Sequence, residues 1–274
     1  MSLSQLTPCV SIGFPVYNGA EFIGAALDSL LGQSFGEFEL IISDNCSSDA
    51  TEAIFREYAS KDSRIRYIRQ PTNIGAYSNF CFVLNEANGI YFMWAAADDF
   101  RSLDCIEFYL EHIGDAGGVF STFATFDRSN SSTKLIDVPK LSLEITRKVN
   151  ICLYLSSLCT SLFYGLFRRD ALLDSMPGAF DWADSLLILS IISKHGFNTV
   201  SSGAPRYFSG IYGSYVVKPA NGRFIRPIRY FLNALPIVIS AGPIALFLHF
   251  KVLVSSYIRN AIIAWHLLRF GKDP

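Results

Sequence analysis

Two adjacent carboxylates, Asp98 and Asp99, close a run of seven uncharged residues, Tyr91-Phe92-Met93-Trp94-Ala95-Ala96-Ala97. An aromatic-rich apolar run bounded upstream by Asn88-Gly89 predicts a strand buried on both faces. Charge in the middle of such a strand carries a heavy desolvation cost, so the carboxylates belong at its carboxyl end. That end is where open α/β sheets bind ligands. Two carboxylates side by side repel each other, and a divalent cation relieves the repulsion. Mg²⁺ is typically held by one or two carboxylates together with substrate phosphates. Alone, the pair also suits a solvated turn, so the elements that lead up to it decide.

Those elements alternate. Val10 to Phe14 reads as a strand stopped by Pro15, followed by the turn dipeptide Asn18-Gly19. Phe22, Ile23, Ala26, Leu27, Leu30 and Leu31 fall at helical spacing. Phe38 to Ser43 predicts a second strand ending at Asp44-Asn45, and residues 47–51 offer several N-caps for a helix over 50–60. Ile65 to Ile68 predicts a third strand, and Asn73-Ile74-Gly75 opens a third helix. Four strand–helix alternations imply a parallel sheet with right-handed crossovers. Pro15, Asp44 and Asp98 then share one rim, where a nucleotide would bind. Neither a Gly-x-Gly-x-x-Gly after the first strand nor a Gly-Lys-Ser/Thr phosphate loop is present, so a dinucleotide site and a phosphate-loop NTPase are both unsupported. Further on, Val119 to Phe126 predicts one strand, 128–140 a hairpin or exposed loop, 143–158 a helix, Tyr164 to Phe167 a short strand, and Ser185 to Lys194 an amphipathic helix.

Half of the 274 residues are hydrophobic and 17% are charged, which assures a sizeable core and argues against disorder. Six cysteines without a Cys-x-x-Cys pair, and a start lacking a basic and apolar leader, predict a cytoplasmic protein with reduced thiols. The four histidines show no partner pattern and receive no chemistry. Charge is divided unevenly. Residues 203–274 carry nine Lys or Arg against Asp273 alone, a local charge of +8, while residues 1–202 sum to −9. A basic end on an acidic body points to an anionic partner for that end.

The ordered set of motifs resembles the family 2 glycosyltransferases of the GT-A fold. The residues that carry the likeness are Pro15-Val16-Tyr17-Asn18, Asp44-Asn45-Cys46-Ser47-Ser48-Asp49-Ala50-Thr51, Asn73-Ile74-Gly75, Asp98-Asp99, Tyr164-Gly165-Leu166-Phe167-Arg168-Arg169 and Asp181-Trp182-Ala183-Asp184. The resemblance implies an α/β fold with a Rossmann-like, mainly parallel sheet flanked by helices. It covers about residues 8–212, which suggests a domain over 1–212 and a basic, apolar helical extension over 213–274. It also implies roles. Pro15, Tyr17 and Asn18 would lie against base and ribose, with Glu21 and Asn73 nearby. Asp44 would accept from a uracil ring N–H. Asp98 and Asp99 would bind ribose and a diphosphate-bound Mg²⁺ or Mn²⁺. Asp184 would be the catalytic base, with Asp181 competing for that role. Two positions depart from the family pattern. Ala96 or Ala97 stands where the first motif carboxylate is expected, and Asn45 replaces a second acid beside Asp44.

The implied reaction is inverting transfer of a sugar from a nucleotide-diphosphate donor to a hydroxyl acceptor, a glycan or lipid-linked precursor of a bacterial surface polysaccharide. A nucleotide-sugar-binding protein without turnover is the first rival, motivated by the alanines before Asp98. A nucleotidyltransferase is the second, and it would show a basic Gly-rich loop where residues 15–20 have no Lys or Arg. Nucleic acid is not an expected partner. Phe231 to Phe250 is free of Asp, Glu, Lys and Arg and follows Lys218, Arg223, Arg226 and Arg229. Twenty such residues could span a bilayer, but Pro236, Gly242 and Pro243 interrupt them. Two shorter pieces, with a further helix over 252–270, fit a surface helix on an anionic membrane. Packing on the sheet or a homodimer contact is the competing use of these residues.

Overall fold

The computed structural model describes residues 8–127, 132–178, 183–211 and 225–254. The first half alternates as expected: β1 (Val10–Val16), α1 (Ile23–Leu31), β2 (Phe38–Asp44), α2 (Thr51–Lys61), β3 (Ile65–Arg69), α3 (Ala76–Asn85) and β4 (Tyr91–Trp94). There follow β5 (Phe100–Arg101), α4 (Cys105–Ile113), β6 (Gly118–Ser121), β7 (Phe123–Asp127), β8 (Ser132–Ile136), α5 (Arg147–Ser157), a 3-10 turn (Thr160–Tyr164) and β9 (Leu166–Arg168). The chain continues through α6 (Arg169–Ser175), α7 (Ala183–Lys194), β10 (Phe197–Val200), β11 (Tyr207–Ile211) and α8 (Ile225–Ala241).

Seven strands form the main sheet in the order β10-β6-β9-β4-β1-β2-β3. Its pairings are parallel except those of β9, which runs antiparallel to both β4 and β6. A second sheet, β5-β11-β7-β8, stands beside it. All seven residues of β1 are buried, as befits a central strand covered on both faces. Phe14 meets Phe55 of α2 edge-on at 5.5 Å, an aromatic pair worth about 0.5–1.5 kcal/mol beyond the area it buries.

Three expectations change. β1 does not stop at Pro15 but runs in register with β2 as far as Val16↔Asp44. The Gly13 carbonyl accepts from Ala95 on the β4 side, and Pro15, two residues on, faces the same side where β4 pairing has ended. A residue without an N–H therefore costs no ladder bond there. The single strand expected over Val119 to Phe126 is two. β6 pairs in the main sheet and β7 in the small one, with Thr122 the corner whose N–H bonds Val200 O and whose carbonyl takes the Arg206 N–H. Helix α7 is buried nearly all round rather than amphipathic, because α5, α6, α8 and the 3-10 turn surround it.

Trp94 pins the end of β4. Its ring stacks on Phe163 at 4.3 Å and 11°, meets Phe92 edge-on at 4.9 Å, and its Nε1–H donates to Phe80 O at 3.2 Å. The strand carrying the Asp pair is thereby fixed to α3 and the 3-10 turn one residue before the chain leaves the sheet.

Candidate active site

The loops after β1 and β2 are laced together. Ser47 Oγ accepts from Asn18 N–H at 2.9 Å, Asn18 Oδ1 accepts from Ser48 N–H at 2.9 Å, and Thr51 Oγ1 accepts from Gly19 N–H at 2.9 Å. Asn18 sits at φ +51°, a conformation that asparagine tolerates better than most residues. Asp49 takes the N–H groups of Thr51 and Ala20, so it braces both the start of α2 and the first loop.

Asp44 is fully buried at the end of β2. Its Oδ1 accepts from Ser47 N–H at 2.8 Å, and its Oδ2 accepts from Tyr67 OH at 2.9 Å and Arg69 Nη1 at 3.0 Å. Burial, then the bond to Asp44, pushes the Tyr67 phenol far up, so it remains a donor. Asp44 thus organises the loop that forms the cleft. The side chain beside it, Asn45, lines that cleft. Its amide bridges Asn73 Oδ1 and Ile74 N–H, and Asn73 also takes the Gly75 N–H. Pro15, Val16, Tyr17, Asn45, Asn73, Ala76, Asn79 and Phe80 enclose this space of about 180 Å³. Tyr17 is half exposed. Glu21 is exposed and lines neither this cleft nor its neighbour.

Phe80 is shared with a larger cavity of about 430 Å³, so the two spaces adjoin. Trp94, Phe163, Tyr164, Tyr207 and Asp184 are among its walls. Asp184 is in the first turn of α7, where its Oδ1 accepts from its own following residue, Ser185 N–H, at 2.7 Å. Asp98 is half-buried and Asp99 buried. Tyr207, from β11, donates to Asp99 Oδ2 at 2.5 Å and stacks on Tyr164 at 5.4 Å and 17°. Below it lies Arg101, 5.0 Å from the Tyr207 ring, its Nη2 donating to Trp94 O at 2.7 Å. Burial raises the Tyr164 phenol, and the negative charges of Asp99, Asp98 and Asp184 raise it further.

Asp184 lines the larger cavity, Asp99 is bonded by its wall residue Tyr207 with Asp98 next to it in sequence, and Pro15, Tyr17 and Asn73 line the smaller cavity. Asp181 lies outside the described residues. Asn45, Tyr164, Tyr207 and Arg101 belong to the site without having been singled out for it. Tyr164 stood in a quoted motif, whereas Tyr207 had no local signal at all. Among the described residues no group of three or more His, Cys, Asp or Glu could hold a metal. Asp98 and Asp99 are hard oxygen donors, the chemistry that suits Mg²⁺ or Mn²⁺ shared with substrate phosphates.

A mainly parallel sheet with carboxylates at its carboxyl rim and a second, smaller sheet is the GT-A glycosyltransferase architecture. Residues 11–174 match the family model Glycosyl transferase family 2, and the chain belongs to that family. The putative teichuronic acid biosynthesis glycosyltransferase TuaG of Bacillus subtilis (strain 168) is 34% identical over 119 residues, 43% of this chain and 47% of that protein. Chondroitin synthase of Escherichia coli is 31% identical over 128 residues, 45% of this chain and 18% of that protein. The chain thus spans less than two thirds of either relative. Among solved structures, S. aureus TarS 1-349 in complex with UDP-GlcNAc superposes with a TM-score of 0.67 at 17% identity, over 95% of this chain and 73% of that one. Mannosyltransferase PcManGT from Pyrobaculum calidifontis, in complex with GDP-Man and Mn2+, gives 0.56 at 17% identity, over 97% and 80%. At that identity the likeness is one of fold.

Proposed function

We propose that this glycosyltransferase moves a sugar from a nucleotide-diphosphate donor to a hydroxyl of a surface glycan or its lipid-linked precursor, with inversion at the anomeric carbon. The observation that carries the reading is that Asp184 and Tyr207, the hydrogen-bond partner of Asp99, wall one cavity that adjoins, through Phe80, the cleft of Pro15, Tyr17, Asn45 and Asn73. The smaller takes the nucleoside, with Tyr17 over the base, Pro15 and Asn18 shaping the loop, and Asn45 and Asn73 presenting amides. Asp44 holds that loop in place beside the base. The larger takes the transferred sugar and the acceptor. Its aromatic walls suit the apolar faces of pyranose rings, and its carboxylate suits their hydroxyls.

A hydroxyl is a weak nucleophile until its proton is removed. Asp184 takes it as the bond to the anomeric carbon forms. One carboxylate suffices, because attack opposite the departing diphosphate needs no covalent intermediate. Asp98 and Asp99 would hold Mg²⁺ or Mn²⁺, which when bound supplies Lewis-acid stabilisation of the leaving diphosphate. The likeness to TarS with UDP-GlcNAc and to PcManGT with GDP-Man and Mn2+ supports a nucleotide-sugar donor and a metal. A lipid-linked acceptor would place the enzyme on the inner face of a membrane.

A thermal-shift panel of UDP-, GDP- and dTDP-sugars with and without Mn²⁺ identifies the donor, since a ligand of the native state alone raises stability by mass action. With that donor, Asp184→Asn should cut transfer by roughly 10²–10⁴ while donor binding persists. Full turnover by the variant would remove Asp184 as base. Donor binding without transfer to any hydroxyl acceptor would favour a binding protein instead.

A further inference from the structure

The C-terminal helices carry an outer face that ordinary solvent contact does not explain. Ala234 and Val238 of α8 are fully buried and Ala241 is nearly so, and the helix packs against α5 and α7. Gly242, at φ +103°, ends it, and residues 243–254 form a second helix whose Ala245 and His249 are buried. Away from the core the same pair exposes Leu232, Ile239, Ile244, Phe247, Phe250 and Val254. Ile244 is 71% exposed and Phe247 68%, which is close to full solvation. Phe247, Phe250 and Val254 stand at i, i+3 and i+7, so one stripe of the second helix is apolar on its solvent side. A soluble helix places charged residues there. Single exposed apolar side chains would need no explanation, but an apolar stripe repeated on two consecutive helices marks an interaction surface.

Charge selects the partner. Lys251 is exposed between Phe247 and Phe250 on the one side and Val254 on the other. Lys218, Arg223, Arg226 and Arg229 precede the ridge in sequence, and Arg259, Arg269 and Lys272 follow it. Across residues 203–274 there is one acid. A second copy of this chain would bring a tail of the same sign against it. A bilayer rich in anionic lipid offers both an apolar interior and phosphates of the opposite sign. Among the described residues no helix is long and apolar enough to span a membrane.

We propose that the ridge from Leu232 to Val254 docks this protein on the surface of an anionic bilayer, with its apolar side chains at the headgroup–acyl boundary and Lys251 among the phosphates. The surface is independent of the transfer reaction, so its failure would leave that reading intact.

The experiment is vesicle flotation of the full chain with phosphatidylglycerol/phosphatidylcholine or phosphatidylcholine alone, at low and high salt. The wild type should float with the anionic vesicles, less at high salt and least on phosphatidylcholine alone. The triple variant Ile244→Ser, Phe247→Ser, Phe250→Ser should keep the wild-type melting temperature without lipid, because these side chains are exposed. Its partitioning should fall roughly tenfold or more, the scale expected on removing buried apolar contacts. Lys251→Glu should weaken binding less and reduce its salt dependence. Wild-type protein that ignores anionic vesicles at low salt would overturn the proposal, as would a triple variant that binds like the wild type. A concentration-dependent dimer abolished by the triple variant, without vesicle binding, would reassign the ridge to self-association. A large fall in melting temperature would show that the ridge is covered by the chain itself, and that also overturns it.

Discussion

Asp44→Ala tests whether the loop after β2 is held by a buried charge. The carboxylate is fully buried and accepts from Ser47 N–H, Tyr67 OH and Arg69 Nη1 at 2.8, 2.9 and 3.0 Å. Removing one partner of a buried ion pair costs about 3–5 kcal/mol when the other is stranded. Arg69 is only partly stranded here. Its side chain is 32% exposed and retains Glu52 at 3.3 Å and the Ser47 carbonyl at 3.1 Å. The expected loss is therefore at the low end, about 3 kcal/mol. At about 2–4 °C per kcal/mol for a chain of this class, the melting temperature should drop by about 6–12 °C. Arg69→Met makes the opposite cut and leaves the buried carboxylate without its cation, so it should cost at least as much. Urea unfolding of both single variants and the double gives the coupling directly, and it should exceed about 1 kcal/mol. If Asp44 also supports the base, calorimetry on the folded variant should show donor affinity reduced by roughly 1–3 kcal/mol. Unfolding of Asp44→Ala within about 1 °C of wild type, or a coupling near zero, would refute the reasoning. The loop would then be held by backbone geometry alone.

Asp98→Asn should remove the Mn²⁺-dependent part of the donor-induced thermal shift, measured against the variant's own ligand-free melting temperature, and a full shift in the variant would count against a metal there. Tyr207→Phe removes a charge-assisted bond to Asp99 and should lower stability by about 1.5–3 kcal/mol in urea; an unchanged midpoint would show that the bond contributes nothing net. At Gly89 an added Cβ would meet Ser11 N at 2.6 Å and Val10 C at 2.8 Å, backbone atoms of the central strand, so Gly89→Ala should cost about 1–3 kcal/mol by the same measurement, and a neutral result would mean that β1 can shift. Asp62 is held below the usual carboxylate range, first by the hydrogen bond from Arg64. A depressed folded pKa contributes stability above the unfolded value near about 3.9, lost as pH falls through the folded one. The wild-type advantage over Asp62→Asn, under about 1 kcal/mol at pH 5, should therefore vanish by about pH 2, and an advantage that persists there would contradict the assignment.

Much of the rim was legible because strand and helix periodicities are local. Buried strands need continuous apolar runs, helices need one apolar stripe, and carboxylates are excluded from both. Residues 10–99 therefore announce four strands and mark Asp44, Asp98 and Asp99 as end-of-strand groups. Errors arose where periodicity gives no boundary. Nothing local distinguishes β6 from β7, since both are apolar, and the corner at Thr122 exists only because β10 and β11 offer partners in different sheets. Helix α7 has Ser185, Ser190 and Lys194 where a polar face could be drawn, yet four neighbouring elements cover it.

Residue types along the chain determined that this protein would build a mainly parallel sheet and place acids at its rim. Desolvation forbids charge inside a buried strand, and that constraint acts within a few residues. Which acid meets which partner was decided by tertiary structure alone. Tyr207 reaches Asp99 across 108 positions of sequence, Asp44 turns inward to Tyr67 and Arg69 while Asn45 faces the cleft, and Asp184 arrives from a helix 86 residues beyond Asp98. The same holds for the C-terminal helices, whose apolar content is plain in sequence. Only the packing of Ala234, Val238 and Ala245 on the core leaves Phe247 and Phe250 facing outward. Long-range contacts are set by how whole elements pack, and that packing is a property of the assembled core rather than of any segment within it.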